Sequence, residues 1–193
     1  LSLCHRRCHQ TQIFGFQHVL LAPSGRASLY FLLKTLPQPK VIVPAYTCKA
    51  VVEAARLAGK EVVHVEVEGD GFNMDVGQLE PVLNASSIVI ATHQFGIPCD
   101  IATIRRLCDR HGAYLVEDVA AAFGTRIEGR LAGTFGDADF FSFDSTKLIN
   151  VPLKAGFLAV RDAGHFAAVG TVFEQETRAM SFPRTRALAI HGL

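Results

Sequence analysis

Short runs of β-branched and other apolar residues alternate with helix-like segments along most of this 193-residue chain. That alternation limits the fold more than any other feature. Val41-Ile42-Val43 ends at Pro44, and Tyr46 to Ala58 then reads as a helix stopped by Gly59. Glu61 to Val67 is rich in valine and alternates in part, the pattern of a strand. Asp70-Gly71 marks a turn, and Asp75 to Leu83 a short helix capped near Asn73 or Asp75. Ser87 to Thr92 reads as a buried strand. Asp100 caps a helix over Ile101 to His111, with Gly112 at its end. Ala113 to Asp118, Asp139 to Phe143 and Gly156 to Val160 supply further strands. Such a series predicts a three-layer α/β/α fold around a mostly parallel mixed sheet covered on both faces.

Composition narrows the function. Hydrophobic residues make up 49% of the chain and charged ones 19%, which suits a globular domain with a sizeable core. Nineteen basic and eighteen acidic side chains leave a net charge of +1. That balance gives no electrostatic basis for binding nucleic acid or an anionic membrane surface. No apolar run approaches the roughly 20 residues that span a bilayer, and the N-terminal stretch lacks a secretory pattern. A cytoplasmic protein is expected. The chain opens at Leu1 rather than methionine, so a fragment of something longer is expected too. Five cysteines, odd in number and scattered, do not form a disulfide framework. Cys4-His5-Arg6-Arg7-Cys8-His9 has two thiols and two imidazoles, but no second ligand pair follows at zinc-site spacing, so no metal is expected.

Residues 1–20 carry little periodicity. Ser24 then caps a helix whose apolar part includes Leu29, Leu32 and Leu33 and which Pro37 and Pro39 end. A helix opening on Ser24-Gly25 presents backbone N–H groups and the positive end of its dipole, with Arg26 adding charge. The same residues also serve an ordinary capped helix. In parallel sheets, ligands bind beyond the carboxyl ends of the strands. Here those positions hold Pro44 to Cys48, His93 to Gly96, Glu117-Asp118 and Ser142 to Lys147.

Lys147 stands in a dense apolar run from Phe140 to Ile149. Burial turns a lysine into a nucleophilic amine suited to Schiff-base chemistry, whereas a surface lysine would lay its stem over the phenylalanines. Asp118 ends a buried strand and needs a cationic or hydrogen-bonding partner. Lys147 in a structural ion pair and a protonated heterocycle both qualify. Pyridoxal phosphate asks for such a set: a lysine, an acid for the ring nitrogen, and an anion site for the phosphate.

From Ser24 to about Val160 the chain resembles the large domain of the DegT/DnrJ/EryC1/StrS family of pyridoxal-phosphate-dependent aminotransferases. The family's Ser-Gly-Thr helix start is matched by Ser24-Gly25-Arg26, and its Pro-x-x-Thr segment by Pro44-Ala45-Tyr46-Thr47. Its Glu-Asp-x-Ala pair is Glu117-Asp118-Val119-Ala120, and its Phe-Ser-Phe-x-x-x-Lys signature runs from Phe141 to Lys147. The sequence departs from the family at Ala121, where glutamine is usual, and at Cys48, where an aromatic is usual. Pro152 to Gly156 replaces a Gly-Glu-Gly-Gly loop, and the Asn-rich stretch through which a partner chain reaches the phosphate is not recognisable in Met180 to Leu193.

The resemblance implies an aspartate-aminotransferase-like fold, with residues 21–165 as the cofactor-binding domain and 166–193 leading to a small C-terminal domain that is absent. Phe173 to Ala189 is a further candidate helix, with Pro183 interrupting it. It also implies Lys147 as Schiff-base lysine and proton shuttle and Asp118 against the pyridinium nitrogen, with Gly25, Arg26 and Ser142 at the phosphate. The implied reaction is a ping-pong transamination from a donor such as glutamate to a keto-sugar nucleotide, in a homodimer. A catalytically inactive relic of the same fold and a sugar dehydratase-like enzyme are the alternatives.

Overall fold

A computed structural model describes residue 16 and residues 18–145, 147 and 154–179. The Cys4–His9 cluster, Pro152, Leu153 and Met180 to Leu193 lie outside these residues.

Val19–Ala22 (β1) leads into Gly25–Thr35 (α1), which Ser24 caps, its Oγ accepting from Ala27 N–H at 3.1 Å. Lys40–Pro44 (β2) and Lys49–Leu57 (α2) follow. The helix begins three residues later than the sequence predicts. Ala45 N–H still donates to Val65 O at 2.7 Å, and this bond keeps the backbone extended past Pro44. Glu61–Val65 (β3), the single turn Val76–Leu79 (α3) and Ser87–Thr92 (β4) come next. Ile101–His111 (α4) starts at the Asp100 cap and stops at Gly112, whose φ of 67° is left-handed, as the sequence implies. Tyr114–Asp118 (β5) leads to a small hairpin, Arg126–Ile127 (β6) with Arg130–Leu131 (β7). Ala138–Ser142 (β8), Gly156–Val160 (β9) and Ala163–Ala179 (α5) close the described part.

Seven strands form one sheet in the order β1-β9-β8-β5-β4-β2-β3. Every pairing from β3 to β8 is parallel, and β9 and β1 add an antiparallel edge. Side chains alternate across the pleat. Ile88, Ile90, Val116 and Phe140 therefore pack under α1, α2 and α5, while Val89, Ala91 and Leu115 pack under α4. Three layers result, as expected.

The helix over 163–179 begins ten residues before the candidate helix read from Phe173, and what lies beyond Ala179 is outside the described residues. It belongs to the helical layer on α1. Phe173 meets Phe31 edge to face at 5.0 Å, and Tyr30 Oη donates to Glu176 at 3.1 Å.

Candidate active site

Strand parity builds the site. Thr92 continues the Ile88–Ile90 row of β4, Asp118 follows Val116 on β5, and Ser142 follows Phe140 on β8. All three thus reach the α1 face at the carboxyl ends of their strands. A cavity opens there, lined by Gly25, Thr92, Asp118, Ala121, Ser142 and Lys147. Lys147, Asp118, Ser142, Gly25 and Arg26, the residues singled out in the sequence, all border it.

The start of α1 forms one wall. The first N–H groups of a helix have no partner within it, and Ser24 takes that of Ala27. A side chain at Gly25 would place Cβ 2.9 Å from Ser142 Cβ and 3.1 Å from Phe141 O, so only glycine lets the helix start touch the end of β8. Gly156 is equally constrained: its Cβ would lie 2.5 Å from Gly25 N. That glycine escaped the sequence reading because its neighbour is 131 positions away, across β9 and α1. Arg26 points elsewhere than a bare anion site would demand. Its guanidinium pairs with Glu53 of α2 at 3.0 Å, and Lys49 shares that carboxylate at 3.4 Å.

Asp118 is the buried acid of the site. Its side chain accepts Ala120 N–H at 3.0 Å, and burial pushes its carboxyl above the ordinary range. The Ala120 bond, the Lys147 ammonium and the His93 imidazole work in the opposite direction. The Thr92 hydroxyl adds a weak pull of the same sign, although Thr92 Oγ1 makes no hydrogen bond of ordinary geometry among the described residues. Lys147 is held at its backbone, where N–H donates to Asp144 O at 2.9 Å.

The Glu117-Asp118 pair reads in sequence as two acids at one sheet edge, but the pleat separates them. Glu117 is fully buried toward the α4 side. It accepts N–H groups from Gly133 at 2.8 Å, from Gly136 at 2.6 Å and from Phe135, and it contacts His93 Nε2 at 3.1 Å. Cys99 N–H donates to His93 Nδ1 at 3.2 Å, which leaves the proton on Nε2 to face Glu117. His93 N–H in turn donates to Asp118 O at 3.2 Å. Glu117 is therefore an anchor for the 133–136 turn and for the backbone beside Asp118, and not a free acid in the cavity. Strand parity alone is the signal that could have separated the two carboxylates.

Ala121 borders the cavity and brings no hydrogen-bonding side chain. Cys48 caps α2, is exposed and also borders it. The other two cysteines among the described residues, Cys99 and Cys108, are buried, which pushes their thiols up, to about 12 for Cys108. A more open groove at the opposite ends of the strands is lined by Arg105, Asp109, Asp137 and Arg161. Arg105 pairs there with Asp109 at 2.7 Å and Asp137 at 3.0 Å, and Arg161 donates to Thr134 O at 2.7 Å. Among the described residues, no group of three or more His, Cys, Asp or Glu side chains is placed to hold a metal ion.

Residues 11–181 match the family model described as the DegT/DnrJ/EryC1/StrS aminotransferase family. The chain belongs to this family. A GDP-perosamine synthase from Vibrio cholerae is 36% identical over 137 residues, covering 69% of this chain and 37% of that protein. A UDP-N-acetyl-3-dehydro-α-D-glucosamine 3-aminotransferase from Acidithiobacillus ferrooxidans is 32% identical over 153 residues, covering 77% and 42%. The chain thus spans about two fifths of the length of the curated relatives it matches. Among solved structures, DesI in the presence of its TDP-sugar product superposes with a TM-score of 0.78 at 29% identity, covering 91% of this chain and 44% of that one. A family aminotransferase from Brucella abortus superposes with a TM-score of 0.75 at 28% identity, covering 81% and 45%. These likenesses place the mixed sheet in the aminotransferase large-domain fold. Membership of the DegT/DnrJ/EryC1/StrS family is thereby set by sequence and fold together.

Proposed function

We propose that this chain is the cofactor-binding part of a pyridoxal-phosphate-dependent aminotransferase that aminates a keto sugar linked to a nucleotide. The observation that carries this reading is the convergence of Asp118 and Lys147 on one cavity beside the bare helix start at Gly25. The residues fit the cofactor on two counts. The cradle at Gly25 and Ser142 would be filled by any Cβ on Gly25. The Asp118 carboxyl is buried and, among the described residues, has no cationic partner at bonding distance, which a protonated ring nitrogen would supply.

Pyridoxal phosphate, when bound, supplies an electron sink for the pair released as a Cα–H bond breaks. The α1 start and the Ser142 hydroxyl would bind the phosphate through N–H and O–H donors. Asp118 would hold a proton on the ring nitrogen, the attraction between its carboxylate and that cation being strengthened by the dry surroundings. Lys147 would hold the cofactor through Nζ, and the same amine would move the proton at the substrate Cα. Arg26 brings positive charge to the rim, moderated by Glu53.

The nucleotide-linked keto sugar as acceptor rests on the activities for which the two curated relatives are named and on the TDP-sugar product of DesI. An amino donor such as glutamate, a homodimer that completes the site and a cytoplasmic setting belong to the same proposal. The decisive experiment is borohydride reduction of the protein incubated with pyridoxal phosphate, followed by peptide mapping. The label is expected on Lys147 and is expected to vanish in Lys147→Ala. A label on another residue overturns the assignment.

Ala121 favours a second reading, in which the cofactor is bound without turnover. Adding glutamate separates the two. Conversion of the bound cofactor to its amine form excludes the inert reading.

A further inference from the structure

Thr92 stands beside Asp118 in a way that neither the sequence motifs nor the family pattern assigns. The two residues are register partners where β4 and β5 end in parallel. Both line the cavity and both are buried, Thr92 with 5% of its surface exposed. Thr92 Oγ1 is enclosed and has no hydrogen-bond partner among the described residues. A buried hydroxyl left unbonded is costly, and valine would fill the same space without that cost. Asp118 has the complementary need. A buried carboxylate has about four acceptor positions, and among the described residues its side chain meets Ala120 N–H at bonding distance. Lys147 and His93 are the charged or titratable groups that act on Asp118 from neighbouring segments, and both do so through space. Ala121 contributes no donor to the cavity.

We propose that Thr92 is a positioning residue for Asp118, its hydroxyl donating to the carboxylate and fixing that group's orientation toward the cavity. The step involves no bond making beyond the hydrogen bond. The Thr92 hydroxyl already pulls the Asp118 carboxyl down, so the two side chains are near neighbours, and a small rotation of either one brings their oxygens into bonding geometry. The consequence for cofactor binding rests on the function proposed above.

A double-mutant cycle tests it, with pyridoxal phosphate as probe and equilibrium dialysis of the full chain as the measurement. Thr92→Val is expected to weaken binding about tenfold, the size of one charge-assisted hydrogen bond. Thr92→Ser keeps the hydroxyl and is expected to stay near the parent value. In the Asp118→Ala background, Thr92→Val is expected to cost less than about twofold, because the acceptor is gone. A Thr92→Val protein that binds like the parent overturns the proposal, and so does the same loss in both backgrounds. If the parent chain does not bind pyridoxal phosphate at all, the function reading fails first. The Asp118 carboxyl can then be titrated by carbon-detected NMR in the cofactor-free chain. There Thr92→Val must raise its midpoint, because a lost donor disfavours the carboxylate, and an unchanged midpoint overturns the proposal.

Discussion

A methyl group on Gly156 would stand 2.5 Å from the backbone nitrogen of Gly25. The antiparallel strand β9 and the start of α1 are pressed together at that point, and the Gly25 wall of the cavity is placed by the contact. Gly156→Ala must push the helix start away from Ser142. Overpacking of this kind costs about 1–3 kcal/mol. Denaturant unfolding is expected to show that loss, together with weaker binding of pyridoxal phosphate. Gly170→Ala is the control, since a Cβ there meets nothing within 4 Å and sits inside α5. It is expected to stabilise the fold by up to about 1 kcal/mol through helix propensity. Equal effects from the two substitutions would contradict the contact argument.

Glu117 and His93 make a different prediction. Both Glu117 oxygens are occupied, one by Phe135 and Gly136 N–H groups and the other by Gly133 N–H and the His93 ring. Glutamine has the same shape but one oxygen, so its amide would face two donors. Glu117→Gln is expected to cost about 3 kcal/mol, in the range for breaking a buried charged network. Urea unfolding measures it. A loss under about 1 kcal/mol would mean that the network is not what holds the 133–136 turn.

The elements that were legible in the sequence are those whose ends are fixed locally. α4 is bounded by the Asp100 cap and the left-handed Gly112, and its ends match the reading residue for residue. Lys147, Asp118 and Ser142 were legible because motif spacing and strand ends point to one edge. What stayed hidden depends on partners remote in sequence. β1 exists because Val19 to Ala22 pair with β9, far along the chain. Arg26 reads as a free cation until α2 brings Glu53 to it. Thr92 and Glu117 acquire their roles from the face of the pleat they occupy, which is decided only when the strand is in register.

Lys154 carries a strained backbone. Its φ is 122°, a region that side-chain-bearing residues rarely adopt, and it lies in the segment that replaces the family's glycine loop. Its exposed ion pair with Asp144 at 3.4 Å offsets little of that strain. Lys154→Gly is expected to stabilise the protein by about 1 kcal/mol, the strain relieved less the added freedom of glycine in the unfolded chain. Thermal unfolding checks the sign. A destabilised variant would show that the ion pair outweighs the backbone.

Asp139 sets the last expectation, on pH. It is register partner to Glu117 across β5 and β8, so the two carboxyls share the α4 side of the sheet. Its side chain is buried and its Oδ2 has no partner among the described residues. Burial, and then the charge of Glu117, push the Asp139 carboxyl well above its ordinary value of 3.8, against the pull of Arg161. A carboxyl raised in the folded state binds its proton more tightly there than in the unfolded chain. Its contribution to stability is therefore complete below pH about 3.9 and is lost as pH rises toward the folded value. Asp139→Asn removes that titration. The variant is expected to match the parent near pH 4 and to exceed it by about 1–3 kcal/mol at pH 8, the cost of an unsatisfied buried acceptor. Asp118 titrates in the same direction in the cofactor-free chain, so the variant keeps part of the slope. Urea unfolding at both pH values decides the matter. A gain of equal size at each would trace the effect to packing and not to charge.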